Sequence, residues 1–527
     1  MAESIGAHRR PLLPELAAGS DPAPDGLLDA VAAYERALMT NDLSEMDRLF
    51  APGPATMRGD AAGLLVGHGA IGAFRGGRGG APLRTVRELH VRRLDDNHAL
   101  VVAVTAPRSG GRGQQTQLWR RGSVGWVVDV AHVSVPAPVV DASVWRVVGA
   151  PLVAPTGTGG LDGVRVAVKD LVAIAGQVIG AGVPEWLDEA APEPVHAPAV
   201  AALLAAGASV QGIARTDELA YSLAGRNPHY GTPPNVAVRG ALPGGSSSGP
   251  AAAVALGQAD LGLATDTAGS IRVPASYQGL WGLRTTHGVV STVGVLPLSP
   301  SFDTVGWLAR EPQTLRAAAV ATLGVTSVPL GGVVVDLAVL GLVEPALAAA
   351  VRALADRLDA EPVDVTGAIG GLDVLADRFR TVQAAEAWRH HGAWVTAHPG
   401  ALGAEIGARF AWAATVTAEQ EAAARAELAA TRDALAAVLG DRVLLVPSAA
   451  SGAPAASAGG PEIERIRTVT LTLTCLAGVL GAPALSVPGL KVGGAPIGVC
   501  LIGPRGSDVA LIDRALDSAV LTASWAL

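Results

Sequence analysis

The sequence predicts an α/β protein, a largely buried sheet with helices on both faces, preceded by a small α+β unit. Three observations carry this. From about residue 160 onward, apolar strand-like runs alternate with Ala-rich helical ones, as in VRVAVKDLV, APAVAALLAAGAS and VQGIAR. Ahead of that point, a stretch of helical apolar spacing is followed by four runs of strand character. Finally, 527 residues exceed one ordinary domain; half are hydrophobic and only 4% aromatic, so two or three cores built from Ala, Val and Leu are expected.

Taken in order, residues 1–24 read as a disordered leader, since MAESIGAHRRPLLPELAAGSDPAP holds no apolar run that would make a signal peptide. Residues 26–50 have helical spacing with an Asn-Asp break near the middle. TVRELHVRRL, HALVVAVTAP, QQTQLWRRG and GWVVDVAHVSVP then read as a meander of antiparallel strands, which closes a first domain over 25–136. Residues 137–159, rich in Pro and Gly, read as a linker, and 160–527 as the α/β domain. Within it, 415–438 is an Ala-rich helix with its Glu and Arg on a solvated face.

Composition excludes several classes. The net charge is -8, and no Lys/Arg run could neutralise a phosphate backbone, so nucleic acid is not an expected partner. No stretch approaches eighteen strongly apolar residues, so no membrane span is expected either. The two cysteines, Cys475 and Cys500, sit in apolar segments and read as reduced core residues, which points to a cytoplasmic protein. HHGAWVTAH (His390, His391, His398) does not have the spacing of a zinc-binding helix, so no metal site is assigned.

Of the 39 basic residues only two are lysine, Lys169 and Lys491. Arginine stays protonated at any accessible pH, whereas burial can drive a lysine amine to its neutral form. Lys169, inside the apolar run GVRVAVKDLV, is therefore a candidate proton carrier; Lys491, in GLKVGGAP, reads as a loop residue.

The most unusual segment is 240–284, GALPGGSSSGPAAAVALGQADLGLATDTAGSIRVPASYQGLWGLR. Its first half admits three readings. It is a flexible linker, or a loop presenting N–H groups ahead of a helix that starts at Pro250, or a nucleophile elbow centred on Ser247. A phosphate loop is excluded, because no Gly-Lys-Ser/Thr follows. In the second half, Ser270 follows Asp266-Thr267-Ala268-Gly269, a small-residue turn whose N–H groups could face a developing oxyanion, with Asp266 and Arg272 placed to tie the loop down.

Together these stretches resemble the amidase signature family. Val166-Ala167-Val168-Lys169-Asp170, the Ser246 loop and Ser270 in D-T-A-G-S-I-R-V-P match its motifs, with the family's spacing of twenty-four residues between the two serines. The chain is most similar to the plant-type indole-acetamide hydrolases, through GVPEWL, NPHYGTPPNV, HGVVSTVGVLPLSPSFDTVGWLAR and GAPIGVCLIGPRGSD. The resemblance implies an α/β/α sandwich with a mixed sheet and a Ser–cis-Ser–Lys triad. Ser270 would be the nucleophile, Ser246 the bridging serine after a cis peptide, and Lys169 the base. Thr267, Ala268 and Gly269 would form the oxyanion hole, with no cofactor. Two positions depart from the family pattern, Ser248 and Ala268, each where glycine is commoner. Trp186, Tyr230 and Phe302 are candidate pocket walls.

The N-terminal unit resembles an AtzH-like, SnoaL-like cone-shaped domain, through YERALMTNDLSEMDRLF, GHGAIGAFRGGR and GQQTQLWRRGSVGWVVDVAHVS. Arg58, Arg75, Arg78, Gln115 and His132 would line the cone, or else the domain serves assembly. The expected activity is hydrolysis of a carboxamide C–N bond of a small-molecule amide through an acyl-serine, releasing ammonia and an acid, by a homo-oligomer. The alternatives are a ureide substrate of carboxylated-biuret or allophanate type, or an amidase-like subunit without activity of its own.

Overall fold

The computed structural model describes residues 13–60, 63–76, 84–107, 113–134, 140–324 and 328–521. They fall into two compact units divided between Val140 and Asp141.

In the first unit, the Asn-Asp break is a cap on each side. The helix Leu27–Thr40 ends on Asn41 in the left-handed conformation, and Asp42 opens the helix Leu43–Arg48 by accepting the Glu45 N–H at 3.0 Å. The strands are β1 (Met57–Asp60), β2 (Gly63–Val66), β3 (Arg84–Arg93), β4 (His98–Pro107), β5 (Gly113–Gly122) and β6 (Gly125–Ser134). They form one sheet in the order β2-β1-β6-β5-β4-β3. The meander β3–β6 is the predicted one; β1 and β2 add to it, β1 running parallel to β6. Residues 13–24 are not a free leader. Ala17 N–H donates to Leu89 O at 2.8 Å and Asp21 N–H to Val91 O at 2.9 Å, which lays this segment along β3; residues 1–12 lie outside the described residues.

Gln115, Gln117 and Trp119 alternate onto the buried face of β5. Gln115 and Arg84 both hold the buried Glu35 carboxylate. Arg58 pairs with Asp60 at 2.7 Å, and Arg75 stacks over Phe50 at 3.8 Å. His132 is exposed on β6, so it does not join the residues that sequence reasoning grouped with it; Arg78 lies outside the described residues.

The second unit is built on one eleven-stranded sheet. Its strands are β7 (Trp145–Val153), β8 (Arg165–Lys169), β9 (Ser209–Ala214), β10 (Leu261–Asp266), β11 (Trp281–Arg284) and β12 (Thr304–Ala309). They continue with β13 (Val333–Val335), β14 (Glu361–Pro362), β15 (Val443–Pro447), β16 (Ala484–Val492) and β17 (Ala495–Ile502). The order is β14-β13-β15-β17-β16-β11-β12-β10-β8-β9-β7. β8 runs parallel to both β9 and β10, whereas β12 is antiparallel to β10, so the sheet is mixed. Both faces are covered, as the pleat of β8 demonstrates. Val166 and Val168 join one core cluster with Leu203, Leu204 and Leu315, while Ala167 joins another with Ala251–Val254 and Ile271. The predicted linker is corrected at one point: residues 145–153 are strand β7, paired antiparallel to β9 at the sheet edge. The predicted Ala-rich helix spans Ala418–Leu439, opened by a capping box of Thr417 and Gln420.

Candidate active site

In open α/β sheets, ligand sites form beyond the carboxyl ends of parallel strands. Here β8 ends on Lys169, while its parallel neighbour β10 ends on Thr265 and Asp266. Two loops cross above those ends. One carries Ser246 into the helix Ser248–Ala255, and the other carries Ser270 into the helix Arg272–Gln278. The first helix, SGPAAAVA, is buried throughout Ser248–Val254, and only side chains this small let its start lie against the strands.

The three groups meet in a chain. Lys169 Nζ donates to Ser246 Oγ at 2.8 Å and to Thr265 Oγ1 at 2.8 Å, and Ser246 Oγ lies 3.0 Å from Ser270 Oγ. The Gly245–Ser246 peptide is cis. Gly245 admits no side chain, because a Cβ there would stand 2.3 Å from Asp217 Oδ2. Thr216 Oγ1 donates to Ser246 O at 2.9 Å, and Ser248 Oγ donates to Asp217 Oδ1 at 3.1 Å, which holds this loop from below. Ser247 is fully buried and donates to Thr265 O, which removes the elbow reading centred on it.

Lys169 is fully buried. Burial pushes its amine down to about 7, against the pull of Asp217, Asp266 and Asp303, which favour the charged form. Asp217 is itself pushed up to about 6 by burial. The other lysine, Lys491, is exposed on β16.

The loop before Ser270 is fixed by Asp266. Its carboxylate accepts Gly269 N–H at 2.8 Å and Ile271 N–H at 3.1 Å, and pairs with Arg272 at 2.8 Å and Arg284 at 3.2 Å. Burial alone would raise this carboxyl, but the Arg272 and Arg284 guanidinium groups outweigh it and hold it well below the ordinary range. The predicted oxyanion hole is thereby corrected, since the Gly269 N–H is committed to Asp266. Among the described residues no acceptor takes the N–H of Thr267, Ala268 or Ser270. The peptide planes explain their direction. Asp266 O accepts from Thr304 Oγ1 at 2.9 Å and Thr267 O from Arg284 at 3.3 Å. In each trans peptide the N–H then points the opposite way, which is the case for Thr267 and Ala268. Gly269 sits at φ 121°, where its hydrogen faces Thr474; a Cβ would stand 3.1 Å from Thr474 Cγ2.

Two adjoining cavities open at this point. One is lined by Ser270, Thr267, Ala268, Tyr221, Arg409 and Arg467. The other, of about 210 Å³, is lined by Leu171, Val295, Leu296, Pro300, Asp303 and His390, and shares Ala220, Thr267 and Leu298 with the first. The predicted pocket walls lie elsewhere. Phe302 is core, stacked on Phe379 at 4.1 Å; Trp186 packs on Trp394 at 5.2 Å; Tyr230 lies under the Arg215 guanidinium at 3.3 Å. His391 is buried and bonded to Pro297 O at 2.6 Å, with burial pushing it down to about 4, while His398 pairs with Glu189. Among the described residues no cluster of three or more His, Cys, Asp or Glu could hold a metal ion, and both cysteines are buried and free.

Residues 153–328 match the Amidase family model. Over 400 residues the chain is 33% identical to Amidase 1 of Arabidopsis thaliana, spanning 68% of this chain and 93% of the relative. The chain belongs to the amidase family. It is a hydrolase of amide C–N bonds. A solved amidase structure superimposes with a TM-score of 0.60 at 30% identity, over 70% of this chain and 85% of the other. Residues 25–138 of this amidase match the AtzH-like family. A structure described as a vestigial protein complex bearing on the origins of an s-triazine catabolic enzyme matches at 29% identity and a TM-score of 0.62, over 67% and 83% of the two chains.

The expected cytoplasmic location does not stand. Over 156 residues, 30% of this chain and 26% of the relative, the amidase is 47% identical to Translocon at the outer membrane of chloroplasts 64 of Pisum sativum. A relative this similar is named for an organelle's outer membrane, so reduced cysteines and family membership carry no cytoplasmic address. No helix among the described residues is long and apolar enough to cross a membrane.

Proposed function

We propose that this amidase hydrolyses a primary carboxamide through an acyl-serine formed on Ser270, with Ser246 as proton relay and Lys169 as base. The observation that carries the reading is the unbroken chain from a buried lysine through two serine hydroxyls, 2.8 and 3.0 Å long, ending in a cavity. A serine hydroxyl attacks only if a base takes its proton, and Lys169 with a pKa of about 7 is matched to that task near neutrality.

With the amine neutral, the hydroxyl rotors turn so that Ser270 donates to Ser246 and Ser246 to Nζ. Ser270 Oγ forms a bond to the carbonyl carbon as its proton passes to Ser246 Oγ and the Ser246 proton passes to Lys169. The carbonyl oxygen becomes an oxyanion facing the N–H groups of Thr267 and Ala268, and Ser270's own. Collapse breaks the C–N bond, and the proton returns along the relay to the nitrogen, which leaves as ammonia. Water then attacks the ester carbon and gives its proton to the same relay, which returns it to Ser270 Oγ as the C–Oγ bond breaks and the carboxylic acid leaves.

The same reading takes 160–527 with β7 as the catalytic unit and 25–136 as a separate domain of a homo-oligomer; sedimentation velocity checks the assembly, and a monomer contradicts it. Ammonia release from a panel of small amides tests the chemistry. Turnover that Ser270→Ala abolishes is expected, and turnover surviving that substitution overturns it.

A further inference from the structure

We infer that the cavity over Ser270 selects amides that carry a carboxylate, with Arg467 and Arg409 as its anion-recognising wall. This rests on the reading of Ser270 as nucleophile and adds the charge of its substrate.

The two arginines come from different helices, Arg409 from Ala404–Ala413 and Arg467 from Gly460–Leu480, and both line the cavity that Ser270 lines. Among the described residues no Asp or Glu lines that cavity. Their side chains are 11% and 14% exposed, whereas the carboxylates they pair with, Glu405 and Glu464, are 45% and 51% exposed. The cations therefore lie inward and the balancing anions outward, toward water, where their field is screened.

Arg467 grips Glu464 with Nε at 2.8 Å and Nη2 at 2.5 Å, one edge of its fork. Nη1 has no hydrogen-bond acceptor among the described residues, so the other edge of the guanidinium is available to a second anion. Arg409 is held in place by Tyr221 O and Glu405, with Glu464 3.7 Å away. Burial, and then the neighbouring charge of Arg467, push the Arg409 guanidinium down from its ordinary value. The Arg467 charge thus bears on Arg409 where both side chains are largely buried, and an anion between them and Ser270 offsets it.

The adjoining cavity has the opposite character. It is lined by seven Leu, Val and Pro residues beside four threonines and His390, and its one carboxylate among the described residues, Asp303, is engaged by Thr267 Oγ1 at 2.6 Å and by Leu298 and Ser299 N–H at 2.9 Å. A substrate lying across Ser270 thus meets an apolar space on one side and guanidinium groups on the other. The half-amide of a dicarboxylic acid has the required form, an uncharged amide end joined to a carboxylate.

The test compares glutaramate with its uncharged methyl ester on the full chain, following ammonia release at low and high salt. The expected result is a kcat/KM for glutaramate higher by at least about tenfold, as one charge-assisted hydrogen bond supplies, with the advantage shrinking as salt is added. Arg467→Gln should lower the ratio of the two kcat/KM values. Glutarate binding to the Ser270→Ala protein, measured by calorimetry beside neutral glutaramide, reads the same selectivity without turnover and without altering either arginine. Equal or better hydrolysis of the ester, or a ratio unmoved in Arg467→Gln, overturns the inference and leaves the amidase reading intact. Tight glutarate binding with no amide hydrolysed supports the anion site and counts against the nucleophile assignment. Absence of glutarate binding, with or without turnover, overturns the anion site.

Discussion

Replacing Lys169 by Met removes the proposed base while keeping an unbranched side chain in the same buried slot. The size of the effect follows from where the amine sits. An exposed lysine titrates at 10.5 and this one at about 7. At neutral pH about half of the folded molecules therefore hold a neutral Nζ, against roughly one in 3,000 for an exposed lysine. The wild-type kcat/KM should rise with pH along a limb of apparent pKa near 7 and level off above it. Lys169→Met should lose about 10²-fold to 10⁴-fold in rate, and Lys169→Arg should be as inactive, because a guanidinium gives up no proton in this range. Stability supplies a second readout. Between about 7 and 10.5 the unfolded chain holds a proton at Lys169 that the folded chain lacks, so wild-type stability gains from this group as pH rises, by up to about 1.4 kcal/mol per unit. Below 7 both states are protonated, and the full penalty, on the order of a few kcal/mol, weighs on the fold. The difference between wild type and Lys169→Met in urea unfolding, taken at several pH values, isolates this slope from all other titrating groups. A rate limb near 10.5, a flat stability difference, or turnover by Lys169→Arg would refute the reasoning.

The relay predicts that Ser246→Ala lowers kcat by roughly 10³-fold with little change in KM, read by steady-state ammonia release; wild-type kcat would remove Ser246 from the path. Asp266→Asn leaves Arg272 and Arg284 buried without their shared anion, and should destabilise the fold by about 3–5 kcal/mol; an unchanged denaturant midpoint contradicts it. Phe302→Ala, which removes a ring stacked on Phe379 in the core, should likewise cost about 3–5 kcal/mol of stability and leave the ratio of kcat/KM between two amides unmoved; a shifted ratio would return Phe302 to the pocket wall. Dialysis against a chelator should leave turnover intact, and loss reversed by zinc would contradict a chemistry carried by Lys169 and two serines.

How far the site could be read from sequence depended on how local each signal was. Lys169 stood out because the chain otherwise uses arginine, and the serines stood out because both lie in small-residue loops that run into helices. Thr265, the second partner of Nζ, gives no signal in the sequence, since its role arises from the parallel pairing of β8 with β10. The Gly269 N–H looked available in one dimension, and only the fold of the loop shows Asp266 taking it. Arg409 and Arg467 stand well over 100 residues beyond Ser270, and nothing local distinguishes them from other helical arginines. Trp186, Tyr230 and Phe302 lie in segments that resemble the family, but a large aromatic there serves core packing equally well. Strand β7 was masked by the prolines and glycines around it, which an edge strand tolerates.

The most direct test of the central claim needs no substrate. The purified protein would be treated with a serine-reactive fluorophosphonate, its intact mass taken and the modified peptide mapped. One adduct is expected, on Ser270, absent from Ser270→Ala and strongly slowed in Lys169→Met. An adduct on another serine, or labelling of Ser270 at the same rate without Lys169, would contradict it.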